Sequence, residues 1–363
     1  MAKLRQTVLV GMSGGVDSSV AAALLVEQGF TVIGGFIKNW SDTKDLATGE
    51  CAWKGERRDA LRVAAKLDIP LVTFDFETAY RRQVVDLLFK GYAKGETPNP
   101  DVLCNEEIKF GLFLKEARKL GCDFVATGHY ARLKRDADGT THLLRGMDPD
   151  KDQSYFLYRV PQAALRLSLF PIGGLRKSEV RKLARRFKLP VADKPDSQGI
   201  CFIGKLDMVA FLRKRIPAKP GDITDEAGCV LGRHFGLDGY TIGQRERIQV
   251  AKGSEPWFVA DKDLENNRLI IVQGAEHPRL FSTSVEMSDL HWTLGKPLVY
   301  PQPCAIQVRY RQKPVPAVLA KGQGKRVKAV FKHPVKAVAP GQSAVIYRGA
   351  ECLGGGIITA RYN

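Results

Sequence analysis

The alternation of two kinds of segment in the first 130 residues limits the fold of this chain more than any other feature. Short apolar, β-rich runs such as Thr7–Met12 and Thr31–Ile37 flank an Ala/Leu-rich segment, Asp17–Gln28, which predicts a helix. The pattern continues through Glu56–Leu67, Leu71–Phe76, Thr78–Ala93, Glu106–Leu120 and Phe124–Thr127. Strands that alternate with helices form a parallel sheet covered on both faces, and its ligands bind beyond the carboxyl ends of the strands.

A glycine-rich loop, Gly11–Ser19, joins the first predicted strand to the first predicted helix. Its glycines let the backbone approach a ligand closely, and the helix N-terminus offers unpaired N–H groups to an anion. The pattern S-G-G-x-D-S differs from both common nucleotide-binding patterns, G-x-x-x-x-G-K-[ST] and G-x-G-x-x-G. It resembles the pyrophosphate loop of enzymes that cleave ATP to AMP and pyrophosphate by adenylating a substrate oxygen.

The sequence changes character near residue 200, where turn signals separate short predicted strands. From about residue 282 the strands become regular: Ala305–Tyr310, Val315–Ala320, Arg326–Phe331, Ser343–Tyr347 and Gly355–Ala360. This spacing is typical of a compact antiparallel barrel. The predicted fold class is α/β, with a parallel-sheet pyrophosphate-loop domain (adenine nucleotide α-hydrolase-like) over 1–200, a small mostly-β central domain over 201–281 and a β-barrel over 282–363.

The net charge of +17 is unevenly distributed. Residues 283–363 carry 12 Lys and Arg against 3 Asp and Glu, and Arg176–Lys188 carries seven basic side chains against Glu179 alone. Basic regions of this kind attract polyanions, of which nucleic acid is the commonest. The alternative is a solvated basic surface that maintains solubility.

No apolar run reaches the roughly 18 residues of a membrane span. Residues 1–6 lead directly into a predicted strand without room for a signal peptide, so a cytoplasmic protein is expected. The seven cysteines are scattered without a C-x-x-C pair, which argues against a disulfide scaffold or a zinc finger. Four of them are expected to be packing residues, and Cys51 to be structural: the four are Cys122, Cys229, Cys304 and Cys352.

Cys104 lies in the segment Thr97–Asn105, where Pro98 and Pro100 predict a stiff, non-helical loop. This places Cys104 at the start of the following helix, where the helix dipole stabilises a thiolate. Asp101, three residues earlier, is positioned to exchange a proton with it. The alternative is a capping residue beside a buried cysteine.

Cys201 lies in a second segment, Asp196–Gly204, between two glycines that predict a tight turn with an accessible thiol. Two such cysteines in a chain with an adenylating loop suggest a division of labour. ATP activates an oxygen as a leaving group, one sulfur carries the incoming atom and the other resolves the intermediate. An iron–sulfur cluster held by Cys104, Cys201 and a third ligand is an alternative, although no cysteine triplet spacing supports it.

These features together resemble the bacterial tRNA-specific 2-thiouridylase family, a member of the pyrophosphate-loop ATP pyrophosphatase group. The resemblance extends from end to end and includes both cysteine segments. It rests on Gly11–Ser19, Lys38-Asn39-Trp40, Thr97–Asn105, Thr127-Gly128-His129-Tyr130, Lys151-Asp152-Gln153-Ser154-Tyr155, Asp196–Gly204 and Tyr240-Thr241-Ile242-Gly243-Gln244-Arg245.

The resemblance implies ATP-dependent 2-thiolation of the wobble uridine, position 34, of tRNA. Cys201 would carry sulfur as a persulfide, Cys104 would complete transfer and leave a transient Cys104–Cys201 disulfide, and Asp101 would be the acid/base. The flipped base would meet Asn99, Pro100 and Asp101. ATP would contact Gly11, Met12, Ser13, Gly14, Gly15, Val16, Asp17, Ser18, Ile37 and Gly128, and tRNA would contact His129, Lys151, Asp152, Gln153, Arg309, Tyr310 and Gln342.

The same resemblance implies Mg²⁺ with ATP, no protein-bound metal, and tRNA acceptors for Lys, Glu and Gln. It also implies a monomer that receives persulfide sulfur from a cysteine desulfurase or a sulfur-relay protein. The C-terminal barrel would bind tRNA, and we expect the ATP-binding fold to survive its removal. A barrel that only supports the fold is the competing expectation.

Two other functions compete with thiolation. The first is a pyrophosphate-loop synthetase that adenylates another oxygen for attack by ammonia, which would require a glutaminase domain that the sequence does not show. The second is an RNA-binding protein with a relic nucleotide fold, which would need neither the intact loop nor the thiols.

Overall fold

A computed structural model of the protein describes residues 5–42, 51–196, 207–251 and 255–363. In chain order the first domain contains β1 (Thr7–Gly11), α1 (Val16–Glu27), β2 (Thr31–Lys38), α2 (Ala52–Leu67), β3 (Leu71–Asp75), α3 (Glu77–Tyr80), α4 (Asp86–Ala93), α5 (Pro100–Leu103), α6 (Phe113–Lys119), β4 (Phe124–Ala126), β5 (Ala131–Arg135), β6 (Thr141–Arg145), α7 (Gln162–Arg166), β7 (Ser168–Leu169) and α8 (Lys177–Arg186). Two π-helical segments complete longer helices: Arg81–Val85 joins α3 to α4, and Cys104–Leu112 joins α5 to α6.

The sheet of this domain has the strand order β3-β2-β1-β4-β7, and all its strands are parallel. The centre of β1 is a run of three consecutive apolar residues, Val8, Leu9 and Val10, which are fully buried. Burial of successive residues on opposite faces requires cover on both sides, which is how a central strand of a parallel sheet is recognised. The predicted α/β class is confirmed.

The remaining chain is mostly β, as predicted. The helix α9 (Met208–Arg213) precedes β8 (Gly221–Thr224), β9 (Val230–His234), β10 (Trp257–Asp263) and β11 (Arg268–Gln273), which form a sheet of order β10-β11-β8-β9. The last six strands are β12 (Phe281–Trp292), β13 (Gln302–Gln307), β14 (Val315–Lys321), β15 (Val327–Lys336), β16 (Ser343–Arg348) and β17 (Glu351–Tyr362). They follow the order β12-β15-β14-β13-β16-β17, and pairing of β12 with β17 closes an antiparallel barrel.

A hairpin of the first domain extends the barrel sheet. The strands β5 and β6, which the sequence pattern did not predict, pair with each other, and β6 pairs with β17 through Leu143–Cys352 and Leu144–Glu351. His142 reinforces this junction, because its ring lies 2.6 Å from the Glu351 carboxylate and 2.8 Å from that of Asp136. The barrel is therefore attached to the first domain by backbone as well as by side chains.

The two domains also share a hydrophobic core. The barrel residues Val345, Tyr347 and Cys352 are fully buried in the same cluster as Tyr155 and Tyr158 of the first domain. The Tyr347 hydroxyl lies 3.1 Å from Ser154 Oγ. The expectation that the ATP-binding fold survives removal of the barrel is therefore not supported, because removal would expose this core to water.

An arginine ties the helix that carries Cys104 to the barrel. Arg159 Nε lies 2.5 Å from Glu106 in the Cys104–Leu112 segment, and its Nη1 lies 2.8 Å from Asp289 in β12.

Among the residues that the structure describes, no helix has both the length and the apolar character needed to cross a bilayer.

The shared core leads to a stability prediction. Tyr347→Ala should lower the free energy of unfolding by about 3–5 kcal/mol, because it empties a fully buried aromatic site. Tyr362→Ala is the matched control, since this residue is 43% exposed in the same sheet. Its effect should stay within about 0.5 kcal/mol, the usual range for a surface substitution.

Chemical denaturation followed by probes in both domains would measure these effects. Tyr347→Ala should shift the transitions of the barrel and of the first domain together. Loss of barrel structure at lower denaturant, with the first domain unmoved, would contradict the shared core.

Candidate active site

A cavity of about 810 Å³ opens at the carboxyl ends of β1, β2 and β4. This size suits a nucleotide-scale ligand, and the position is where ligands of parallel sheets bind. The structure brings most of the predicted site residues to this cavity: Gly11, Met12, Ser13, Gly15, Val16, Asp17, Ser18, Ile37, Asp101, Gly128, His129, Lys151, Gln153 and Tyr310. The barrel therefore contributes to the same cavity as the glycine-rich loop.

The glycine-rich loop is shaped by Gly14, which has φ = +72°. A Cβ at this position would lie 2.2 Å from the carbonyl oxygen of Glu56, so only glycine fits. Ser18 Oγ holds the turn by accepting a hydrogen bond from Ser13 N at 3.2 Å. The Ser19 hydroxyl donates to the Gly15 carbonyl at 2.7 Å and is fully buried, so it supports the helix start rather than the cavity wall.

The start of α1 is open to the cavity. Gly15 is its N-cap and, having no side chain, makes no side-chain cap, so the first N–H groups of the helix remain available to an anion. Gly128 closes the opposite side, where a Cβ would lie 2.6 Å from Ser18 N. Gly15 and Gly128 thus let the backbone at the ends of β1 and β4 lie close to the N-terminus of α1. The partial positive charge of a helix N-terminus binds the phosphates of a nucleotide.

An ionic cluster lies beside this loop. Lys177 Nζ is 2.7 Å from Asp17 and 2.8 Å from Asp196, and Asp196 also lies 2.8 Å from Lys151 and from Arg181. Although burial opposes ionisation of Asp196, the hydrogen bonds from Lys151 and Lys177 lower its pKa to about 2. Asp196 is therefore an anion at neutral pH and holds two lysines at the cavity wall.

The ion pairs of Arg176–Lys188 correct part of the prediction that this basic segment attracts nucleic acid. Four of the seven basic residues in Arg176–Lys188 pair with carboxylates of the first domain: Lys177 with Asp17 and Asp196, Arg181 with Asp196, Arg185 with Asp193, and Arg186 with Glu27. Most of this basic charge is therefore used within the domain. Lys177 is a site residue that the sequence did not reveal.

The described residues contain no group of three His, Cys, Asp or Glu side chains placed to hold a metal. Asp17 and Asp196 line the cavity beside the loop. Both carboxylates are already paired with side-chain cations, Asp17 with Lys177, and Asp196 with Lys151, Lys177 and Arg181. Mg²⁺ bound with a nucleotide therefore stays a prediction.

The helix that carries Cys104 begins earlier than predicted. Pro100 occupies its first position, where a proline is favoured, and the Asn99 side-chain oxygen caps it by accepting from Asp101 N and Val102 N. The expectation of a non-helical loop at Pro100 was wrong for this reason. Cys104 lies in the second turn, so the helix dipole acts on it less than expected.

Cys104 is fully buried in the hydrophobic core that adjoins the cavity. Asp101, one turn earlier, lines the cavity itself. Cys201 lies outside the described residues, so the predicted Cys104–Cys201 disulfide and the iron–sulfur alternative are not tested by this structure. In sequence Cys201 follows Asp196, which lines the cavity, by five positions.

The other cysteines are only partly as expected. Burial raises the pKa of the Cys122 thiol and raises that of Cys304 to about 12. Cys352 is fully buried, and burial raises its pKa as well. Cys229 is exposed, so its expected packing role was wrong.

His129 is a neutral base at the cavity wall. Burial, together with the nearby Lys109, lowers its pKa well below the ordinary value, and its Nδ1 lies 2.6 Å from the Thr127 hydroxyl. Rings of Phe110 and Phe170 lie 5.9 Å from the imidazole. A neutral imidazole can hydrogen-bond to a ligand without adding charge, and contact of His129 with tRNA stays a prediction.

The segment Lys151–Gln153 is divided between the cavity and the interior. Lys151 pairs with Asp196 at the cavity, and Gln153 Oε1 accepts from Tyr130 N at 3.1 Å. Asp152 is buried, and its carboxylate accepts from Arg145 Nε at 2.7 Å and Gly146 N at 2.9 Å. The described contacts of Asp152 are internal, and its contact with tRNA stays a prediction.

The three predicted tRNA contacts of the barrel differ in position. Arg309 is exposed, whereas Tyr310 is half-buried, with its ring 4.4 Å from that of Phe156. Gln342 does not line the cavity, and its Nε2 donates to the Thr97 carbonyl at 2.7 Å. Its described role is to join the barrel to the segment that precedes Asn99.

Several cavity residues were missed in the sequence: Tyr130, Lys177, Glu56, Asn105, Lys109, Phe113, Phe156 and Arg311. One signal was available, since Asn105, Lys109 and Phe113 follow Asp101 at intervals of four residues. This spacing places side chains on one face of a helix. Pro100 concealed it, because the proline was interpreted as a break rather than as the first residue of the helix.

The fold and the cavity define a class: a nucleotide-binding α/β domain with a pyrophosphate loop, joined to two β domains. Residues 6–205 match the family described as tRNA methyl transferase HUP domain. Residues 209–273 match the tRNA methyl transferase PRC-barrel domain, and residues 282–358 match the aminomethyltransferase beta-barrel domain.

Relatives over the whole length identify the particular family. The chain is 46% identical to tRNA-specific 2-thiouridylase MnmA of Enterococcus faecalis over 98% of this chain and 96% of the relative. It is 47% identical to the protein of the same name from Proteus mirabilis over 98% of each chain. The chain belongs to the MnmA family of tRNA-specific 2-thiouridylases.

Two solved structures of other proteins are similar to parts of this chain at low scores. A 4-thiouridine synthetase–RNA complex with bound ATP superposes with a TM-score of 0.35 and 14% identity, covering 58% of this chain and 50% of that one. An NMN synthetase from Francisella tularensis gives a TM-score of 0.33 at 20% identity, covering 54% of this chain and 69% of that one. The family assignment does not depend on either.

The ionic cluster leads to a prediction about ATP. Asp17→Ala should lower AMP and pyrophosphate formation by about 10²–10³-fold, because the loop loses the carboxylate that holds Lys177 and Tyr130 in place. Glu27→Ala is the matched control: Glu27 pairs with Arg186 and so joins the same two helices at their exposed end. Radiolabelled ATP with thin-layer separation would measure both rates, and equal rates in the two variants would remove the cluster from the ATP site.

Proposed function

We propose that this protein catalyses ATP-dependent 2-thiolation of the wobble uridine, position 34, of tRNA. The observation that carries the proposal is the single cavity lined by the pyrophosphate loop, by Asp101 of the Cys104 helix and by Tyr310 of the barrel. ATP, the target base and the barrel would meet in this cavity. Membership in a family whose relatives are named tRNA-specific 2-thiouridylases supports the same reaction.

The first step is activation of the base. The uridine 2-oxygen attacks the α-phosphorus of ATP, pyrophosphate leaves, and the oxygen becomes part of an AMP leaving group. The open N-terminus of α1 and Lys177 are placed to stabilise the phosphate charge that this step redistributes. Gly14 and Gly128 allow the backbone to approach the phosphates.

The second step transfers sulfur. The terminal sulfur of a persulfide on Cys201 attacks C2 and displaces AMP. Asp101 takes the Cys104 proton, and the Cys104 thiolate attacks the Cys201 sulfur; the S–S bond to the transferred sulfur breaks, and its electron pair leaves with 2-thiouridine. A Cys104–Cys201 disulfide remains, which a cellular thiol reductant must reduce before a cysteine desulfurase or sulfur-relay protein reloads Cys201.

The substrate end of the site suits RNA. His129, Lys151 and Gln153 lie at the cavity wall, and Arg309 is exposed on the barrel. A base flipped out of the anticodon would enter between these groups.

The acceptors that we propose are the tRNAs for Lys, Glu and Gln, and we propose that Mg²⁺ is carried on ATP. We also propose a monomeric cytoplasmic enzyme with domains over 1–200, 201–281 and 282–363.

The competing functions have less support. A synthetase that uses ammonia would need a glutaminase domain, whereas the three matched families cover 6–205, 209–273 and 282–358 and none is described as one. A relic RNA-binding protein would not need the open helix start and paired lysines of the loop. Mass spectrometry of bulk tRNA from a deletion strain decides among the three functions, since only thiolation predicts the loss of 2-thiouridine at position 34.

The two cysteines should have separable roles. Cys104→Ser and Cys201→Ser should each abolish thiolation, while tRNA affinity stays within a few-fold of the parent. Only Cys201→Ser should lose the persulfide that a cysteine desulfurase loads. Cys122→Ser is the control, because its thiol is buried away from the cavity. Mass spectrometry of protein and tRNA measures both steps; full activity in either active-site variant contradicts the two-cysteine mechanism.

The barrel contacts should differ in salt dependence. Arg309→Ala should lower the slope of log affinity against log salt by roughly 0.7–0.9, because one phosphate contact is lost. Tyr310→Ala should weaken binding by about 1–3 kcal/mol with little change in slope if a base stacks on its ring. Filter binding at several salt concentrations, with thermal melts as a folding control, would show both. An unchanged slope in a folded Arg309→Ala protein would remove that residue from the RNA interface.

A further inference from the structure

A buried amide next to Cys104 has an unused acceptor. The side chain of Asn105 is only 2% exposed, and its Nδ2 donates to the Phe156 carbonyl at 3.2 Å. Its Oδ1 has no hydrogen-bond partner among the residues that the structure describes. A buried acceptor without a donor destabilises a fold by about 1–3 kcal/mol, so its presence calls for a functional explanation.

The orientation of this amide is fixed. The Phe156 carbonyl can only accept, so it must face the Nδ2 donor of Asn105 rather than the oxygen. A reversed amide would place two oxygens against each other. The unpartnered atom is therefore Oδ1, an acceptor whose orientation the fold sets in advance.

Asn105 lines the cavity together with residues that suit a base. It lies four residues after Asp101 and four before Lys109, and all three line the cavity from one helix. The rings of Phe156 and Tyr310, also at the cavity, supply apolar surface of the kind on which bases stack.

Asn99, the other amide side chain near the predicted base site, already has hydrogen-bond partners within the protein. Asn99 Oδ1 accepts from two backbone N–H groups at the helix start, and its side chain also hydrogen-bonds to Tyr155. Pro100 has no N–H to donate. Of the amide acceptors in the Asn99–Asn105 segment, the one at Asn105 is thus left for a ligand within the described structure.

We propose that Asn105 Oδ1 accepts the N3–H of the target uridine and thereby selects uridine over cytidine at position 34. Uridine carries a donor at N3, whereas cytidine carries an acceptor there, which would face the Asn105 oxygen and repel it. This inference rests on the proposed function and names the group that reads the base. No proton or bond is transferred in the contact; it is a specificity contact.

Equilibrium binding of full-length tRNA transcripts to the whole protein tests the proposal, with an ATP analogue that cannot be cleaved between its α- and β-phosphates. Three tRNAs differ only at position 34: uridine, cytidine, and 3-deazauridine, in which C–H replaces N3–H. The parent protein should bind the uridine form about tenfold to a hundredfold more tightly than the other two. Asn105→Leu should remove this preference by weakening only the uridine complex.

Gln307→Met is the matched control. Gln307 is also a buried amide, at 4% exposure, with Nε2 bonded to a backbone carbonyl at 3.2 Å and Oε1 without a partner in the described structure, but it does not line the cavity. Its variant should keep the full uridine preference. Asn105→Asp keeps the shape of the amide, and burial favours its protonated form, in which one oxygen donates to the Phe156 carbonyl and the other still accepts. This variant should retain the preference over 3-deazauridine, and it tests the proposal if Asn105→Leu melts at the assay temperature.

The outcomes separate this inference from the proposed function. If the parent forms no 2-thiouridine from the uridine tRNA, the proposed function is wrong. If the parent forms it, three results overturn the role of Asn105: no preference in the parent, an unchanged preference in a folded Asn105→Leu protein, or loss of the preference in Asn105→Asp.

Discussion

The ammonium group of Lys177 is the interaction on which the arrangement of the site depends. It joins Asp17, in the first turn of α1, to Asp196, from which the chain continues toward Cys201. One half-buried cation therefore links the loop that would hold ATP to the segment that would deliver sulfur. Because Asp196 also binds Lys151 and Arg181, loss of the central amine would leave two carboxylates competing for the remaining charges.

The fold was predictable where local pattern and tertiary structure agree. The buried run of β1, the glycine-rich turn and the Ala/Leu helix each point to the same strand–loop–helix unit, and the structure contains it. The pairing of β6 with β17 was not predictable, because the two strands lie about two hundred residues apart in sequence. No local pattern reports a pairing of that separation.

The site was predictable in part for the same reason. Loop residues such as Asp17 and Ser18 carry their own motif, whereas Lys177 acquires its role only when α8 packs on α1. Asn105 was hidden by Pro100, whose position at the helix start could be distinguished from a break only by the cap that Asn99 provides. The charge of Arg176–Lys188 was misinterpreted because its basic side chains pair with carboxylates outside the segment, and two of these, Asp17 and Glu27, come from α1.

The join between Thr97 and the barrel has a mechanical consequence. Thr97 donates its N–H to the Pro340 carbonyl at 2.9 Å and accepts from Gln342 at 2.7 Å, two residues before Asn99, the cap of the helix that carries Cys104. Arg159 attaches the same helix to β12. The barrel is thus attached to this helix at two points. If bound RNA displaced the barrel, the helix would move with it and reorient Asp101 and Asn105 together.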